Sequence, residues 1–237
     1  MLKTENLNAG YGKIQVLYDI NFLANLGEIT IIVGPNGSGK STLLKSIMGF
    51  TDIYSGKIFF EGQDITFFSP HERVKLGITY LRQLKSVFSN LSVKENLIIA
   101  GYLIDKYQYK DRVEMALQEF PILKQYLLRK VKTLSGGERQ MLAMAMALIT
   151  KPKIMMLDEP TSNLAPKIAH EIFKKILDLR DSYNITFIIV EQVVRKSLEI
   201  GDKAYLIVNG RILYEGESLK LLNNPNLGKL YLGIKGN

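Results

Sequence analysis

The sequence contains no cysteine and no tryptophan, and it has only two histidines among its 237 residues. Without cysteine the chain has no disulfide, no thiolate ligand for a metal and no cysteine nucleophile. The histidines, His71 and His170, lie far apart and lack the close spacing of paired metal ligands. These absences exclude thiol chemistry and argue against a transition-metal enzyme.

Long hydrophobic runs are also missing. A membrane-spanning helix needs roughly 20 consecutive apolar residues, and no stretch of the sequence approaches that length. The opening MLKTENLNAGYG lacks the apolar centre of a secretory signal. We therefore expect a cytoplasmic protein that reaches the inner face of a cell membrane only through a partner, as a peripheral subunit.

Positive charge is in excess but is not concentrated. The formal net charge of +8 has the sign found on proteins that bind nucleic acid or anionic lipid. No block of five or six like charges stands in the sequence, because the lysines are scattered. A solvated basic surface is the better interpretation, and we expect no nucleic-acid partner.

Short and continuously apolar segments recur along the chain, and each runs into a turn residue or a carboxylate. They cover 29–33, 153–157, 186–190 and 204–208. Such strands are typical of a parallel sheet covered on both faces. Helical stretches separate them, for example Ala169 to Tyr183, whose apolar residues are spaced for one face. This alternation predicts an α/β fold.

We interpret residues 1–237 as one domain with three parts. Glycines punctuate the first 28 residues, which predict short antiparallel strands. The segment 84–133 has helical periodicity and predicts an inserted helical subdomain. Residues 29–83 and 134–237 then form the catalytic α/β core.

A phosphate-binding loop follows the first buried strand. Residues 34–41 read GPNGSGKS and fit the pattern G-x-x-x-x-G-K-[ST] at every fixed position. The glycines let the backbone turn its N–H groups toward phosphate, and the helix that follows adds a favourable dipole. Lys40 can neutralise β- and γ-phosphate charge, and the Ser41 hydroxyl can bind Mg²⁺. The predicted ATP-binding residues of this loop are Gly34, Pro35, Asn36, Gly37, Ser38, Gly39, Lys40, Ser41 and Thr42.

This loop, between a strand and a helix, makes the predicted fold a P-loop NTPase core with a mostly parallel sheet. Two carboxylates, Asp158 and Glu159, end another buried strand. Ligands of open α/β sheets bind at the carboxyl ends of the strands. We therefore predict that Asp158 holds Mg²⁺, directly or through water. Glu159 is the candidate general base that accepts a proton from the attacking water.

Residues 134–140 read LSGGERQ and precede a helix-forming run. A Ser-Gly-Gly turn at a helix start can bind an anion. Standing between the phosphate loop and the Asp-Glu pair, this segment makes the chain resemble the ATP-binding cassette family of ATPases over essentially its whole length. The resemblance implies ATP hydrolysis by a head-to-tail pair of subunits. The segment implied to cap the γ-phosphate of the opposing subunit comprises Leu134, Ser135, Gly136, Gly137 and Glu138.

The same resemblance implies further contacts with the nucleotide. Tyr11 stands where the family places an aromatic residue that stacks on adenine, with Val16 beside it. Gln83 matches a glutamine that touches Mg²⁺ and the attacking water, and links the core to the helical insertion. A tyrosine that merely packs in a turn and a glutamine that merely lies at the surface are the alternatives.

One branch of the family is more similar than the others. Segments 69–74, 87–97, 163–166, 190–192 and 230–233 resemble the shorter ATPase of branched-chain amino-acid importers. Urea and amide importers use near relatives, and lipopolysaccharide-export ATPases share only part of the pattern. The branch implies transmembrane permease partners and a second ATPase subunit, identical or merely related, and it implies that the transported substrate never touches this chain.

Two positions depart from the general family pattern. Gln192 stands where most members have a histidine that contacts the γ-phosphate, and Ala165 replaces a usual aspartate. An amide can donate a hydrogen bond but carries no charge, so sensing of the γ-phosphate should weaken by about 1–2 kcal/mol. A regulatory cassette that binds ATP without hydrolysing it is therefore one alternative. A cassette acting on DNA or ribosomes is another, although the chain lacks the long coiled coil or the second cassette of those relatives.

Overall fold

The computed structural model describes residues 1–82, 86–102 and 104–228. Gln83 and the segment 230–233, both singled out in the sequence, lie outside the described residues. Within the part of the chain that is described, no helix is both long and apolar enough to cross a membrane.

Strands and helices alternate through most of the described chain. The strands are β1 Leu2–Tyr11, β2 Ile14–Ala24, β3 Ile29–Val33, β4 Asp52–Phe60, β5 Gln63–Asp64, β6 Ile78–Leu81, β7 Ile154–Asp158, β8 Thr186–Val190, β9 Lys203–Val208 and β10 Arg211–Glu217. The helices are α1 Lys40–Met48, α2 Pro70–Lys75, α3 Val93–Ala100, α4 Lys106–Glu119, α5 Ile122–Gln125, α6 Gly136–Ile149, α7 Pro166–Tyr183, α8 Val194–Ile200 and α9 Ser218–Leu222, with a 3₁₀ turn at Val131–Thr133.

A six-stranded sheet forms the centre of the molecule, in the order β10-β9-β3-β8-β7-β6. All neighbouring pairs are parallel except β9 and the edge strand β10. Every residue of β3, β7 and β8 is buried, as expected for apolar strands covered on both faces. The predicted α/β fold with a mostly parallel sheet is confirmed.

Alternate residues of the buried strands enter two separate cores. Ile31, Leu157 and Ile189 pack with α6 and α7 on one face, whereas Ile32 and Met156 pack on the other face with α1 and the second sheet. This alternation follows from the two-residue period of a strand. The sheet is thereby held between two apolar layers, which fixes the positions of its strand ends.

The second sheet is antiparallel and has the order β2-β1-β4-β5. It contains the predicted strands of the first 28 residues but extends beyond them, because β4 and β5 complete it. Sequence analysis had assigned residues 29–83, which contain β4 and β5, to the α/β core. The pairing of β4 with β1 joins residues 42 to 58 positions apart, from Gly10 with Asp52 to Leu2 with Phe60, and local periodicity does not reveal such a partner.

The segment between β6 and α6 contains α3, α4, α5 and the 3₁₀ turn. An isolated bridge joins Ser92 to Lys130 across it. Ser92 caps α3 in a capping box with Glu95, in which side chain and backbone satisfy each other's free N–H groups. The helical character is as predicted, while the exact limits of the insertion at 84 and 133 stay a prediction.

Candidate functional site

The phosphate loop lies at the carboxyl end of β3, in the middle of the parallel sheet, and leads into α1. Gly39 forms the N-cap of α1 with φ 104°, a backbone conformation that only glycine adopts without strain. A Cβ at Gly39 would also stand 2.9 Å from Leu17 Cδ2. At Gly34 a Cβ would collide with the carbonyl oxygen of Ile207. Both glycines of the motif are therefore required by geometry.

The loop contains groups suited to an oxyanion. Among the described residues, the buried Ser38 hydroxyl has no hydrogen-bond partner. The ammonium group of Lys40 is buried and donates to the carbonyl oxygens of Gly34 and Pro35, both at 2.8 Å. Burial lowers the pKa of Lys40, whereas the charges of Glu159 and Asp158 raise it. A buried hydroxyl and a buried cation in a loop at a helix N-terminus fit a polyphosphate.

Asp158 ends β7 directly beside the loop and is buried. Its Oδ1 accepts a hydrogen bond from Ser41 Oγ at 2.8 Å, and its Oδ2 accepts one from the Tyr80 hydroxyl at 2.9 Å. Burial is the largest cause of the raised pKa of Tyr80, followed by the charge of Asp158. Tyr80 therefore remains a donor. No group of three His, Asp or Glu side chains fit to hold a metal occurs among the described residues.

Tyr80 was missed by sequence reasoning, although it lies in the run that precedes Gln83. Tyr80 is the last residue but one of β6 and pairs with Met156 of β7, so its side chain lies on the same face of the sheet as Asp158, two residues further along β7. A tyrosine in a short strand between Ile78 and Leu81 was the available signal.

Glu159 follows Asp158 with φ 52°, and its backbone N–H donates to the carbonyl of Val190 at 2.9 Å. The side-chain amide of Gln192 donates to Glu159 Oε1 at 2.6 Å. A left-handed backbone at a residue other than glycine costs energy and occurs often at functional sites. The bend turns the Glu159 side chain out of the strand direction, toward Gln192.

A single cleft of about 230 Å³ collects most of these groups, and its walls are formed by Asn36, Gly37, Ser38, Gly39, Lys40, Ser41, Thr42, Glu159 and Gln192. The structure thus brings together the phosphate loop, the candidate base and the glutamine from three separate segments of the chain. A cavity of about 580 Å³ lies elsewhere and contains none of the predicted site residues.

Tyr11 and Val16 lie at the edge of the antiparallel sheet, next to the loop. The Tyr11 ring is 40% exposed, with Lys45 Nζ of α1 at 5.8 Å from its centre. Val16 approaches Gly39, where an added Cβ would stand 3.6 Å from Val16 Cγ1. An exposed ring beside the phosphate loop is available for stacking, so this geometry is compatible with the predicted adenine contact.

The segment 134–138 forms the start of α6. Ser135 caps the helix in a capping box with Glu138, and its backbone N–H is the largest cause of the lowered pKa of Glu138. Gly136 lines a groove of about 480 Å³ that Glu159 also borders. None of the residues 134–138 lines the cleft of the phosphate loop. Ser135 is exposed whereas Leu134 and Gly137 are buried, and the groove of Gly136 meets the phosphate-loop cleft only at Glu159.

Comparison with known proteins identifies this arrangement. The family model described as "ABC transporter" matches residues 17–162. A nucleotide-binding cassette of an ABC transporter, solved in its ADP conformation, superposes with a TM-score of 0.88 at 32% identity and covers 98% of both chains. The chain therefore belongs to the ABC transporter family and is one of its ATP-binding, ATP-hydrolysing subunits. The predicted family and enzyme class are confirmed.

Two relatives indicate which kind of ABC transporter subunit this chain is similar to. A probable branched-chain amino acid transport ATP-binding protein of Archaeoglobus fulgidus is 52% identical over 99% of both chains. A high-affinity branched-chain amino acid transport ATP-binding protein of Pseudomonas aeruginosa is 39% identical over 98% of this chain and all of its own.

Proposed function

We propose that this subunit hydrolyses ATP to energise the import of branched-chain, hydrophobic amino acids. The main support for hydrolysis is the position of Glu159, which borders the phosphate-loop cleft and receives a 2.6 Å hydrogen bond from Gln192. The substrate class is supported by the printed names of the relatives and by their coverage of nearly the whole chain. Transport of urea, an amide or another substrate is the alternative.

The residues of the cleft divide the chemistry among them. Loop N–H groups, Lys40 and the Ser38 hydroxyl bind the β- and γ-phosphates. Ser41 and Asp158 would hold Mg²⁺, together with phosphate oxygens and Gln83; the ion supplies positive charge against the charge that develops on the phosphates. One carboxylate, one hydroxyl and one amide oxygen from the protein suit Mg²⁺, because this ion is commonly held by one or two carboxylates together with substrate phosphates.

Glu159 orients the attacking water and accepts its proton as the water oxygen bonds to the γ-phosphorus. The bond from that phosphorus to the β,γ-bridging oxygen breaks, so ADP and phosphate leave. Gln192 holds the carboxylate of Glu159 and can donate to the γ-phosphate once ATP is present. Lys40 offsets the negative charge on the leaving ADP.

The segment 134–138 completes the site of a second subunit in this proposal. None of its residues lines the phosphate-loop cleft of the same chain, which supports a head-to-tail pair in which the segment of one subunit faces the loop of the other. The second subunit is a copy of this chain or a related ATPase. Closure around two ATP molecules would move the attached permease subunits.

The permease docks beside the helical insertion in this proposal, which places the subunit at the inner face of the cell membrane. Large apolar side chains are exposed there, namely Phe88, Ile98, Ile99 and Tyr102. A cluster of exposed apolar groups is typical of a protein interface. The Tyr102 side chain is 83% exposed, so its ring is available for contact with a partner.

A binding-only regulatory cassette is the second candidate function, and Gln192 and Ala165 favour it. Steady-state ATPase activity of the full chain beside Glu159→Gln separates the two, with sizing chromatography in ATP and Mg²⁺. We expect turnover in the wild type, a fall on the order of 100-fold or more in the variant, and an ATP-bound dimer of the variant. Inactivity of the wild type, alone and with a partner ATPase and permease, would instead support the binding-only cassette. Comparing the uptake of leucine with the uptake of urea by the assembled transporter tests the substrate.

A further inference from the structure

Glu191 is a buried carboxylate that the proposed mechanism does not use. It is the first residue after β8 and is 1% exposed. Among the described residues no lysine, arginine or histidine forms an ion pair with it, in contrast to the surface carboxylates such as Glu61, which pairs with Lys153. A buried ionised group without a cation is costly unless hydrogen bonds stabilise it.

Three donors from two loops contact this carboxylate. Oε1 accepts from the backbone N–H of Thr161 at 3.0 Å and from its hydroxyl at 2.7 Å. The backbone N–H of Gln192 donates to Oε2 at 3.1 Å. Burial is the largest influence on the pKa of Glu191 and raises it, while these donors lower it. Two of the three are backbone N–H groups, which can only donate.

The position of these hydrogen bonds at the end of the sheet indicates what the Glu191 carboxylate does. The ladder between β7 and β8 ends at the bond from Glu159 N–H to the Val190 carbonyl. Beyond this bond both strands continue as loops. The loop after β7 carries Glu159 and Thr161, and the loop after β8 carries Gln192. The Glu191 carboxylate spans the two loops at the point where the backbone pairing stops.

We propose that Glu191 is a positioning residue for ATP hydrolysis, whose carboxylate holds the loop of Glu159 and the loop of Gln192 at a fixed separation. Fixing the backbone of Thr161 and of Gln192 keeps the Gln192 amide within hydrogen-bond distance of Glu159 Oε1. The inference rests on the proposed roles of Glu159 and Gln192. Glu191 itself lines none of the cleft and touches no reacting atom in this proposal.

Two variants weaken, to different degrees, the hydrogen bonds by which the Glu191 carboxylate joins the two loops. Glu191→Gln keeps the shape but turns an NH₂ group toward donors of one loop, and Thr161→Val removes only the hydroxyl donor. Small displacements of catalytic groups are costly, so we expect kcat to fall on the order of 10-fold or more in Glu191→Gln and less in Thr161→Val. KM for ATP should stay within about threefold, because the phosphate loop is untouched.

Thr186→Val is the matched control. Thr186 is also buried, and its hydroxyl accepts from the Gly27 N–H at the opposite end of β8. We expect this change to lower the melting temperature without changing kcat. Thr161→Ser, which restores the hydroxyl, should recover the activity lost in Thr161→Val.

A double-mutant cycle separates positioning from general destabilisation. If Glu191 acts through Gln192 and Glu159, then Glu191→Gln should reduce kcat much less in a Gln192→Ala background than in the wild type. An equal loss in both backgrounds, or a loss of kcat that Thr186→Val reproduces, would overturn the proposal. Thr161→Val keeps the test open if Glu191→Gln does not fold. Full activity of Glu159→Gln would instead contradict the proposed catalytic role, which is a distinct result.

Discussion

The two ends of the six-stranded sheet differ in what they bury. At the carboxyl ends, Lys40, Asp158 and Glu191 are 5%, 7% and 1% exposed, around a cleft of only about 230 Å³. At the amino ends a cavity of about 580 Å³ lies among apolar groups such as Leu26 and Ile185. Its charged rim is solvated, since the paired side chains of Lys153 and Glu61 are 52% and 41% exposed.

This difference shows that cavity size does not locate the site. Desolvating a charge costs several kcal/mol even in a protein that relaxes around it, so a fold that buries three charged groups together must compensate that cost or use it. The amino-end cavity, although larger, contains no buried charge and no unpartnered hydroxyl among the described residues. Lys40 and Asp158 mark the site beside the Ser38 hydroxyl, whereas the buried Arg73 guanidinium before β6 has its donors satisfied by backbone carbonyls.

The largest expected effect follows from removing the buried cation. In Lys40→Met the side-chain length is kept and the charge is lost, so ATP affinity should fall on the order of 100-fold, the equivalent of one strong charge-assisted contact. Equilibrium binding of a fluorescent ATP analogue measures this loss. Lys57→Met, at an exposed lysine of β4, is the control and should bind normally. Equal affinity in the two variants would show that Lys40 does not contact phosphate.

Tyr80→Phe tests the layer behind the metal ligand. The variant loses only the hydroxyl that donates to Asp158 Oδ2, and loss of such a supporting bond costs roughly 10-fold in metal affinity. We expect the Mg²⁺ concentration for half-maximal ATPase activity, and the dissociation constant of Mn²⁺ in the presence of ATP, to rise by about that factor.

Tyr205→Phe is the matched control for Tyr80→Phe. Tyr205 is fully buried, and its hydroxyl bonds the backbone of Leu23 and the carboxylate of Glu215, away from the cleft. It should lose about 1 kcal/mol of stability with no change in metal dependence. A shift of metal dependence in both variants would point to loosening of the sheet rather than to the Tyr80–Asp158 bond.

Gln192→His restores the residue that most of the family carries. An imidazolium adds a charge-assisted bond that the amide cannot make, so KM for ATP should fall by a few fold below about pH 6.5, where histidine is protonated. Above that pH the advantage should disappear. Measuring KM for both proteins at pH 6 and pH 8 decides the matter. An advantage of the same size at both values would show that charge is not its cause.

Sequence reasoning succeeded where the signal is local. The loop from Gly34 to Ser41 carries its strand, turn and helix in one short stretch, and the buried run before Asp158 marks a parallel strand. The contacts that it missed join distant segments: Tyr80 to Asp158, Thr161 to Glu191 and β4 to β1. Their partners are fixed by strand order and register, which no local pattern encodes. Helix α7 begins at Pro166 rather than 169, because proline fits the first turn of a helix.

The smallest effects come from a pair of truncations, one at each end of the sheet. Ser38→Ala removes a buried hydroxyl that has no partner among the described residues, so the unliganded fold should keep or gain stability, while ATP affinity falls by about two- to tenfold because a donor to phosphate is lost. Leu26→Ala trims a side chain that lines the amino-end cavity and is 54% exposed. It should change stability by about 0.5 kcal/mol and leave ATP affinity and turnover unchanged.

Thermal denaturation with and without ATP measures both quantities in one experiment, since a ligand raises the melting temperature in proportion to its binding free energy. Ser38→Ala should reduce only the ATP-induced increase, and Leu26→Ala should leave that increase intact. If Leu26→Ala lowers the ATP-induced increase as much as Ser38→Ala does, the two ends of the sheet are energetically coupled. The contrast between a cleft beside buried charges and a cavity without them would then be wrong.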